Sequence, residues 1–432
     1  MTAKIIVLDD DPTGSQTVHS CLLLMQWNVE TLREGLRDAA PIFFVLTNTR
    51  ALSPAEASAV VGEVCRNLQQ AIAAEGVRDT LVVSRSDSTL RGHYPVETDV
   101  IADVLGPFDA HFLVPAFFEG GRTTVESVHY LGGVPVHQTE FARDSVFGYR
   151  HSYLPDYVEE KTGGRIRASE VERFTLTDLR AGVGSRLAAL SDNRCCVVDA
   201  ESQADLDRFA ADVREAVDRG KRFLFRSAAS LLTALAALPP QPVPAEAMAA
   251  YVRGGRPGAV IVGSHVRKTT EQLERLLAEP GVEGIEVEVA RLLEPGARTT
   301  ILERTLAVVH AAHTGGKTPV VYTSRTELTF PDIQTRLAFG IEVSGLLMDV
   351  VRALPEDIGF LISKGGITSN DTLSRGLALK SARLLGQVIP GVSMVRTGTD
   401  HPCYPDLPVV LFPGNVGDAG ALATVYRRLA RG

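Results

Sequence analysis

Short runs rich in β-branched and aromatic residues alternate with longer amphipathic stretches along the whole chain. That alternation narrows the fold more than any other feature, because strands separated by helices close as parallel sheets with helices on their faces. In the first half the strand-like runs are IIVL (5–8), PIFFVL (41–46), TLVVS (80–84), HFLVP (111–115), CCVVD (195–199) and RFLF (222–225). Helical stretches fall at 54–75, 95–105, 203–219 and 227–237, while 116–194, rich in Gly, aromatic and polar residues, reads as long loops over a site. Pro239, Pro240, Pro242 and Pro244 then interrupt the pattern, and proline both removes backbone donors and breaks helices. Beyond them, strands are expected at AVIVG (259–263), GIEVEV (284–289), TPVVYT (318–323), IGFLIS (358–363), VSMVR (392–396) and PVVLF (408–412). Helices are expected at 269–278, 297–312, 332–353, 369–385 and 418–430. The expectation is an α/β protein of two domains, each a mainly parallel sheet flanked by helices: 1–238 and 250–432, joined by a Pro-rich linker at 239–249.

Charge limits the partners. Lys and Arg number 44 and Asp and Glu 52, a net charge of −8, which disfavours nucleic-acid binding by phosphate neutralisation. Anionic small substrates stay open wherever arginines gather locally. The five cysteines include no CxxC pair, so neither a disulfide framework nor a zinc cluster is indicated, and Cys195 and Cys196 read as small buried side chains. MTAKIIVLDDD has too short an apolar stretch for a signal peptide, and no run reaches membrane-spanning length. A cytoplasmic protein without membrane or nucleic-acid partners is expected; a homodimer is compatible with the sequence.

Ligands in open α/β sheets bind beyond the carboxyl ends of the strands, so what each strand runs into carries the functional information. The first runs into Asp9-Asp10-Asp11-Pro12-Thr13-Gly14-Ser15. Stacked carboxylates repel one another, which suits a site, but the same residues also suit a solvated turn with a helix cap. TLVVS leads to Ser84-Arg85-Ser86-Asp87-Ser88-Thr89-Leu90-Arg91-Gly92-His93, whose arginine forks suit a carboxylate and whose hydroxyls and Asp87 suit a polyol; singly, the same residues also suit an Asp–Arg surface pair and helix caps, and their density favours the site. HFLVP leads to Phe117-Phe118-Glu119-Gly120-Gly121-Arg122-Thr123-Thr124, either an anion contact or a tight turn with an exposed arginine. His129, His137 and His151 have no metal-ligand spacing, and no metal ligands are assigned. In the second half, Gly263-Ser264-His265, Lys364-Gly365-Gly366-Ile367-Thr368-Ser369-Asn370 and Phe412-Pro413-Gly414-Asn415-Val416-Gly417 are Gly- or Ser-rich turns before helices, a recurrent way to cradle phosphate. Thr269 and Gln272 read as a T-x-x-Q capping box. Gly315-Gly316-Lys317-Thr318 imitates the tail of a P-loop but precedes a strand instead of following one, and is set aside.

These segments together resemble the four-carbon acid-sugar kinase family, in a divergent subgroup. The resemblance runs through DDDPTGSQ (9–16), SDSTLRGH (86–93), GRTT (121–124), VVDA (197–200), GSHVRKTTEQL (263–273), GGITS (365–369) and PGNVG (413–417). Family members usually read ADDFTGA where this chain has Asp9 and Pro12, KSGGFG where it has FPGNVG, and GSAGL where it has RSAASL at 226–231. The resemblance implies an amino-terminal acid-sugar domain and a carboxy-terminal nucleotide domain. It implies substrate contacts from Asp10, Asp11, Asp87, Ser88, Arg91 and Arg122, and nucleotide contacts from Ser264, Gly365, Gly366, Ile367, Thr368 and Gly414. Arg85 joins the substrate candidates, and Asn415 and Lys364 the nucleotide candidates by position, with an exposed lysine the other reading of Lys364.

The expected activity is transfer of a phosphoryl group from ATP, with Mg2+, to a hydroxyl of threonate, erythronate or 3-oxo-tetronate. One of Asp10, Asp11 or Asp87 would accept or orient the hydroxyl proton. The rival readings are a non-kinase sugar-acid enzyme, an isomerase or lyase, and a non-catalytic acid-sugar sensor on the same fold.

Overall fold

A computed structural model describes residues 3–11, 13–325 and 328–430; Pro12 of the first acidic motif lies outside them. The chain forms two compact units, one ending at Pro240 and the other beginning at Gln241.

The first unit is built on β1 (Lys4–Asp9), β2 (Leu22–Leu24), β3 (Ile42–Leu46), β4 (Thr80–Arg85), β5 (Ala110–Val114), β6 (Arg122–Val125), β7 (Val128–Leu131), β8 (Val134–Pro135), β9 (Glu172–Phe174), β10 (Arg194–Val198) and β11 (Phe223–Ser227). Its main sheet runs β2-β3-β1-β4-β11-β5-β10-β9, and every neighbouring pair is parallel. Helices cover both faces of a parallel sheet, so its strands are apolar throughout; all five residues of IFFVL in β3 are buried. The helix Pro54–Glu75 is marked by local chemistry at both ends. Ser53 caps it in a capping box with Glu56, Pro54 opens it, and Gly76 closes it at φ 64°.

The stretch read as loops, 116–194, is more ordered than expected. β6, β7 and β8 form a small antiparallel sheet, β9 joins the main sheet, and helices span Leu154–Lys161, Leu176–Ala181 and Gly184–Ala189. Strands of two to four residues carry almost no periodicity. The turn between β6 and β7 is made by Glu126 and Ser127 at positive φ, not by an Asn-Gly pair, so it left no turn signature.

The second unit contains β12 (Ala259–Val262), β13 (Val282–Val287), β14 (Thr318–Thr323), β15 (Leu361–Lys364), β16 (Ser381–Ile389), β17 (Val392–Arg396) and β18 (Pro408–Phe412). The order is β13-β14-β12-β15-β18-β17-β16, parallel as far as β18 and antiparallel for the last two pairs. The helix expected at 369–385 is a correction. A short helix, Gly366–Asp371, runs into a π turn at Thr372–Gly376, and the chain then enters β16. Buried and partly buried positions alternate at the start of SARLLGQVI, a strand period that the leucines of the preceding turn obscured. Part of the stretch read as linker belongs to this unit: Ala245–Tyr251 forms a 3-10 segment with Met248 fully buried in the core beside Val260, Phe360 and Leu422. Gly315 and Gly316 end the helix Ala297–Thr314 and lead into β14, which accounts for the false P-loop.

Candidate active site

In the first unit the chain leaves β1 toward β2 and β3 on one side, then crosses to β4 on the other. The switch point therefore lies between the carboxyl ends of β1 and β4, where such sheets open a crevice. The two segments singled out in the sequence, Asp9-Asp10-Asp11 and Ser86-Asp87-Ser88, emerge there side by side, and the Asp10 amide donates to the Arg85 carbonyl at 3.2 Å.

Arg50 holds these carboxylates together. It sits in the Thr49–Ala51 turn that follows β3. Its Nη2 and Nε donate to Asp10 Oδ1 and Oδ2 at 2.5 and 3.1 Å, and its Nη1 donates to Asp11 Oδ2 at 3.2 Å and lies 3.9 Å from Asp87 Oδ1. Arg85 points inward, with Nη1 at 3.3 Å from Asp9 Oδ1 and 3.7 Å from Asp10 Oδ1. Ser86 Oγ donates to Asp10 Oδ2 at 2.5 Å. Gly92, at φ 111°, permits this packing, since a Cβ there would come within 2.3 Å of Ser86 Oγ. Asp10 thus has both oxygens engaged and a side chain only 2% exposed, against 21% for Asp11 and 13% for Asp87.

The environment divides the carboxylates. Burial raises Asp9, which keeps one oxygen without a partner, to about 7 despite Arg85. Burial is the largest influence on Asp11 and Asp87 and pushes both upward, but it is outweighed by Arg50 together with Arg85 and Thr13 at Asp11, and by Arg50 together with Arg91 and Thr89 at Asp87; both end below the usual carboxylate range. Beneath them Glu97 is buried and accepts from Thr49 Oγ1 at 2.5 Å and Ser84 Oγ at 3.5 Å. Burial, with the Asp10 charge adding, raises Glu97 to about 7. A carboxyl raised on folding contributes stability that is complete below its unfolded pKa and lost as pH rises through the folded one. Glu97→Gln is therefore expected to lose less stability than the wild type between about pH 5 and about pH 8 in thermal unfolding. Parallel curves would show that Glu97 titrates alike folded and unfolded.

The remaining substrate candidates line this cluster. Arg91 Nε donates to Asp87 Oδ2 at 2.9 Å, its Nη1 lies 3.7 Å from Asp144 Oδ2, and its guanidinium stands 4.9 Å from the centre of the Phe141 ring. Ser88 is buried and its carbonyl accepts from His129 Nε2 at 2.8 Å. Arg122 is different. Its Nη1 donates to the Gly120 carbonyl at 2.5 Å, its Nε has no partner, and it forms no ion pair among the described residues. Burial lowers its pKa, and the Asp87 and Arg91 charges reach it from the cluster. Among the described residues it is an arginine without a counter-ion, within reach of the Asp87 charge, which already has Arg91 and Arg50 as partners.

Arg50 and Glu97 were missed in the sequence. Arg50 carried a usable signal, for it lies just past β3 in the run TNTR, at a strand end like those of β1, β4 and β5. Glu97 carried none, being one acid in the first turn of the helix Val96–Leu105.

The second unit has its own switch point. From β12 the chain moves to β13 and β14 on one side and then to β15 on the other, so the ends of β12 and β15 flank the crevice, with the end of β18 next to β15. The three expected loops meet there. Gly365 N donates to the Phe412 carbonyl at 2.8 Å, and Ser264 N to the Lys364 carbonyl at 3.4 Å. Gly365 holds φ 122°, and a Cβ on it would stand 3.0 Å from the Ser264 Cβ. Thr368 is buried, whereas Ile367 is 68% exposed and Asn415 is exposed. The capping box at Thr269 and Gln272 is a correction. The helix begins at Arg267, leaving both residues inside it and buried. Thr269 Oγ1 donates to Ser264 Oγ at 3.1 Å and to the Gly414 carbonyl at 3.3 Å, and Gln272 Nε2 donates to the carbonyls of Val416 and Asp418. These side chains tie two loops together where they were expected to cap a helix.

Lys364 is not an exposed lysine. It is fully buried, stands 4.1 Å from the centre of the Phe412 ring, and donates to the carbonyls of Pro413 at 2.5 Å and Gly414 at 3.2 Å. Burial, with the nearby Lys268 charge, brings it down to about 7. No carboxylate pairs with Lys364 or Lys268 among the described residues, and no group of three His, Cys, Asp or Glu able to seat a metal occurs among them.

Residues 5–235 match a family described as a sugar-binding N-terminal domain, and 259–422 match one described as a nucleotide-binding C-terminal domain. A D-erythronate kinase of Heliobacterium modesticaldum is 24% identical over 98% of this chain and 96% of that protein. A D-threonate kinase of Salmonella typhimurium is 25% identical over 97% of this chain and 96% of its own. Among solved structures, a Salmonella typhimurium LT2 protein described as a tRNA synthase superposes with a TM-score of 0.72 at 19% identity, covering 99% of this chain and 98% of that one. A Haemophilus influenzae protein gives 0.65 at 18% identity, covering 98% and 100%. At such identities the two structures speak for the fold alone.

Proposed function

This chain belongs to the four-carbon acid-sugar kinase family, and from that membership we propose that it uses ATP to phosphorylate a hydroxyl of a four-carbon sugar acid such as threonate, erythronate or 3-oxo-tetronate. It is a sugar-acid phosphotransferase with an alcohol as acceptor. The observation that carries the finer reading is the division of charge between the two switch points. The first joins carboxylates to an arginine that lacks a counter-ion among the described residues, as a hydroxy acid requires. The second presents lysines without carboxylates around a glycine turn, as a polyphosphate requires.

In the first unit Arg122 takes the substrate carboxylate, with Arg91 beside it and Ser88 in the wall. Asp10, with both oxygens committed, positions Arg50 and Ser86, and Arg85 serves as counter-ion to Asp9 and Asp10. Asp11 is the most open of the three candidate carboxylates, so it accepts a hydrogen bond from the reacting hydroxyl and receives its proton as transfer proceeds; Asp87 orients a second hydroxyl. A carboxylate held ionised suits this role, because phosphoryl transfer depends mainly on positioning and on charge stabilisation.

In the second unit Ser264, Gly365, Gly366, Ile367, Thr368, Gly414 and Asn415 would hold the nucleotide, with Lys364 bracing the 413–414 carbonyls beneath it. Bound ATP supplies the phosphoryl group. The described residues offer no cage for a metal, so magnesium would arrive with the nucleotide phosphates, and no step is assigned to it.

The test is coupled ADP release with magnesium and ATP against both threonates, both erythronates, the oxo-tetronates and longer sugar acids. Release stimulated by one four-carbon acid is expected. No stimulation by any acid, together with no ATP binding, would overturn the kinase reading in favour of a non-kinase enzyme or a sensor.

A further inference from the structure

One cation at the second switch point has no role in the site as described. Arg325 lies two residues beyond the end of β14, the neighbour of β12, so it stands at the carboxyl edge of the sheet. Its Nη2 donates to the Ser264 carbonyl at 2.6 Å, which sets the guanidinium against the loop that Thr269 ties to Gly414. Nε and Nη1 are shut off from water and meet no acceptor, and Arg325 forms no ion pair among the described residues. The acidic groups whose charge reaches it are Glu286 and Tyr322, and burial outweighs both, lowering its pKa. Lys268, whose Nζ donates to the Asn415 carbonyl at 3.4 Å, and Lys364 are likewise without a carboxylate partner, and each raises the positive charge around the other.

Such an arrangement is costly as it stands. A buried donor that has given up water without gaining an acceptor loses its full solvation, and the Lys268 charge disfavours that of Lys364 close by. Both costs are relieved by one kind of guest, an anion with several oxygens, and the planar guanidinium fork matches phosphate geometry. We propose that Arg325 is a phosphate-binding residue of the second unit, bonding an oxygen of a bound polyphosphate with the donors that no group among the described residues satisfies. The assignment rests on the nucleotide reading of this unit and adds a contact on the β14 side of Ser264. The competing role is a brace that only holds the Ser264 carbonyl.

Calorimetric binding of ATP and of tripolyphosphate to the full chain separates the possibilities, using wild type, Arg325→Ala and Arg325→Lys at low and high salt. Arg325→Ala is expected to weaken both ligands by about tenfold or more at low salt, and by less at high salt, because the lost contact is ionic. Arg325→Lys keeps the charge and is expected to retain the wild-type salt dependence with an intermediate affinity. Should Arg325→Ala fail to fold by circular dichroism, Arg325→Lys carries the test through its loss of the fork. Affinities unchanged in either folded variant, or a loss equal at both salts, would overturn the assignment while leaving the nucleotide reading intact. Wild type that binds tripolyphosphate but not ATP, with the Arg325 dependence present, would sink the nucleotide reading and keep the anion site. Wild type that binds neither overturns both.

Discussion

Replacing Arg50 with methionine is expected to destabilise the first unit by about 3 kcal/mol at neutral pH, the scale on which removing one partner of a buried ion pair acts. The change leaves Asp10, Asp11 and Asp87 facing one another without the guanidinium that bonds Asp10 and Asp11 and neighbours Asp87. The sign of the pH dependence follows from the direction of the shifts. Asp11 and Asp87 are held below the usual carboxylate range, so their contribution is complete above the unfolded pKa and lost as pH falls through the folded one. In Arg50→Met the largest of the charges that lower them is gone, so its carboxylates take up protons more readily than those of the wild type. The gap between wild type and variant should therefore narrow as pH falls into the ordinary carboxylate range. Urea unfolding at neutral pH and near pH 4.5 measures it, the pH at which ordinary carboxylates begin to take up protons. A midpoint unchanged at neutral pH would mean that the clamp contributes nothing to stability.

Asp11→Asn is expected to lower turnover by about a hundredfold or more, the usual worth of a positioned acid–base group. The amide keeps the shape and can still accept from Thr13, whose amide and hydroxyl reach Asp11 Oδ1 at 2.8 and 2.5 Å, so the loop should hold. ATP affinity should stay within about twofold of wild type, a difference of about 0.4 kcal/mol. Steady-state kinetics with the acid found in the panel, beside direct ATP binding, separates the two quantities. Turnover near wild type would take Asp11 out of the chemistry and move the role to Asp87.

Much of this could be read from local patterns, because local patterns have local causes. The apolar runs of β1, β3, β4, β12 and β18 announce strands buried on both faces. Ser53-Pro54 and Gly76 announce a helix through backbone donors and φ alone. The clustering of acids, arginines and glycines at strand ends was legible too, once strands were known to end there. The errors occurred where a segment's state depends on something remote. Residues 381–389 became a strand because an antiparallel neighbour, β17, was there to pair with. Thr269 and Gln272 spend their side chains on carbonyls some 145 positions away, which no window along the chain can see.

The amino-acid order alone therefore set the class of fold, the places where ligands could be met and the residue types offered there, since hydrophobic period and turn chemistry act over a few residues. Strand order decided the rest. It put the ends of β3, β1 and β4 side by side, and so brought Arg50, just past β3, across 39 or 40 positions to Asp11 and Asp10. It also buried Lys364 under the Gly414 loop and left Arg122 and Arg325 without counter-ions among the described residues. Whether a charged side chain is paired, buried or waiting for a ligand depends on which distant groups the sheet places within a few ångströms of it, because Coulomb and desolvation energies depend on distance through space rather than along the chain.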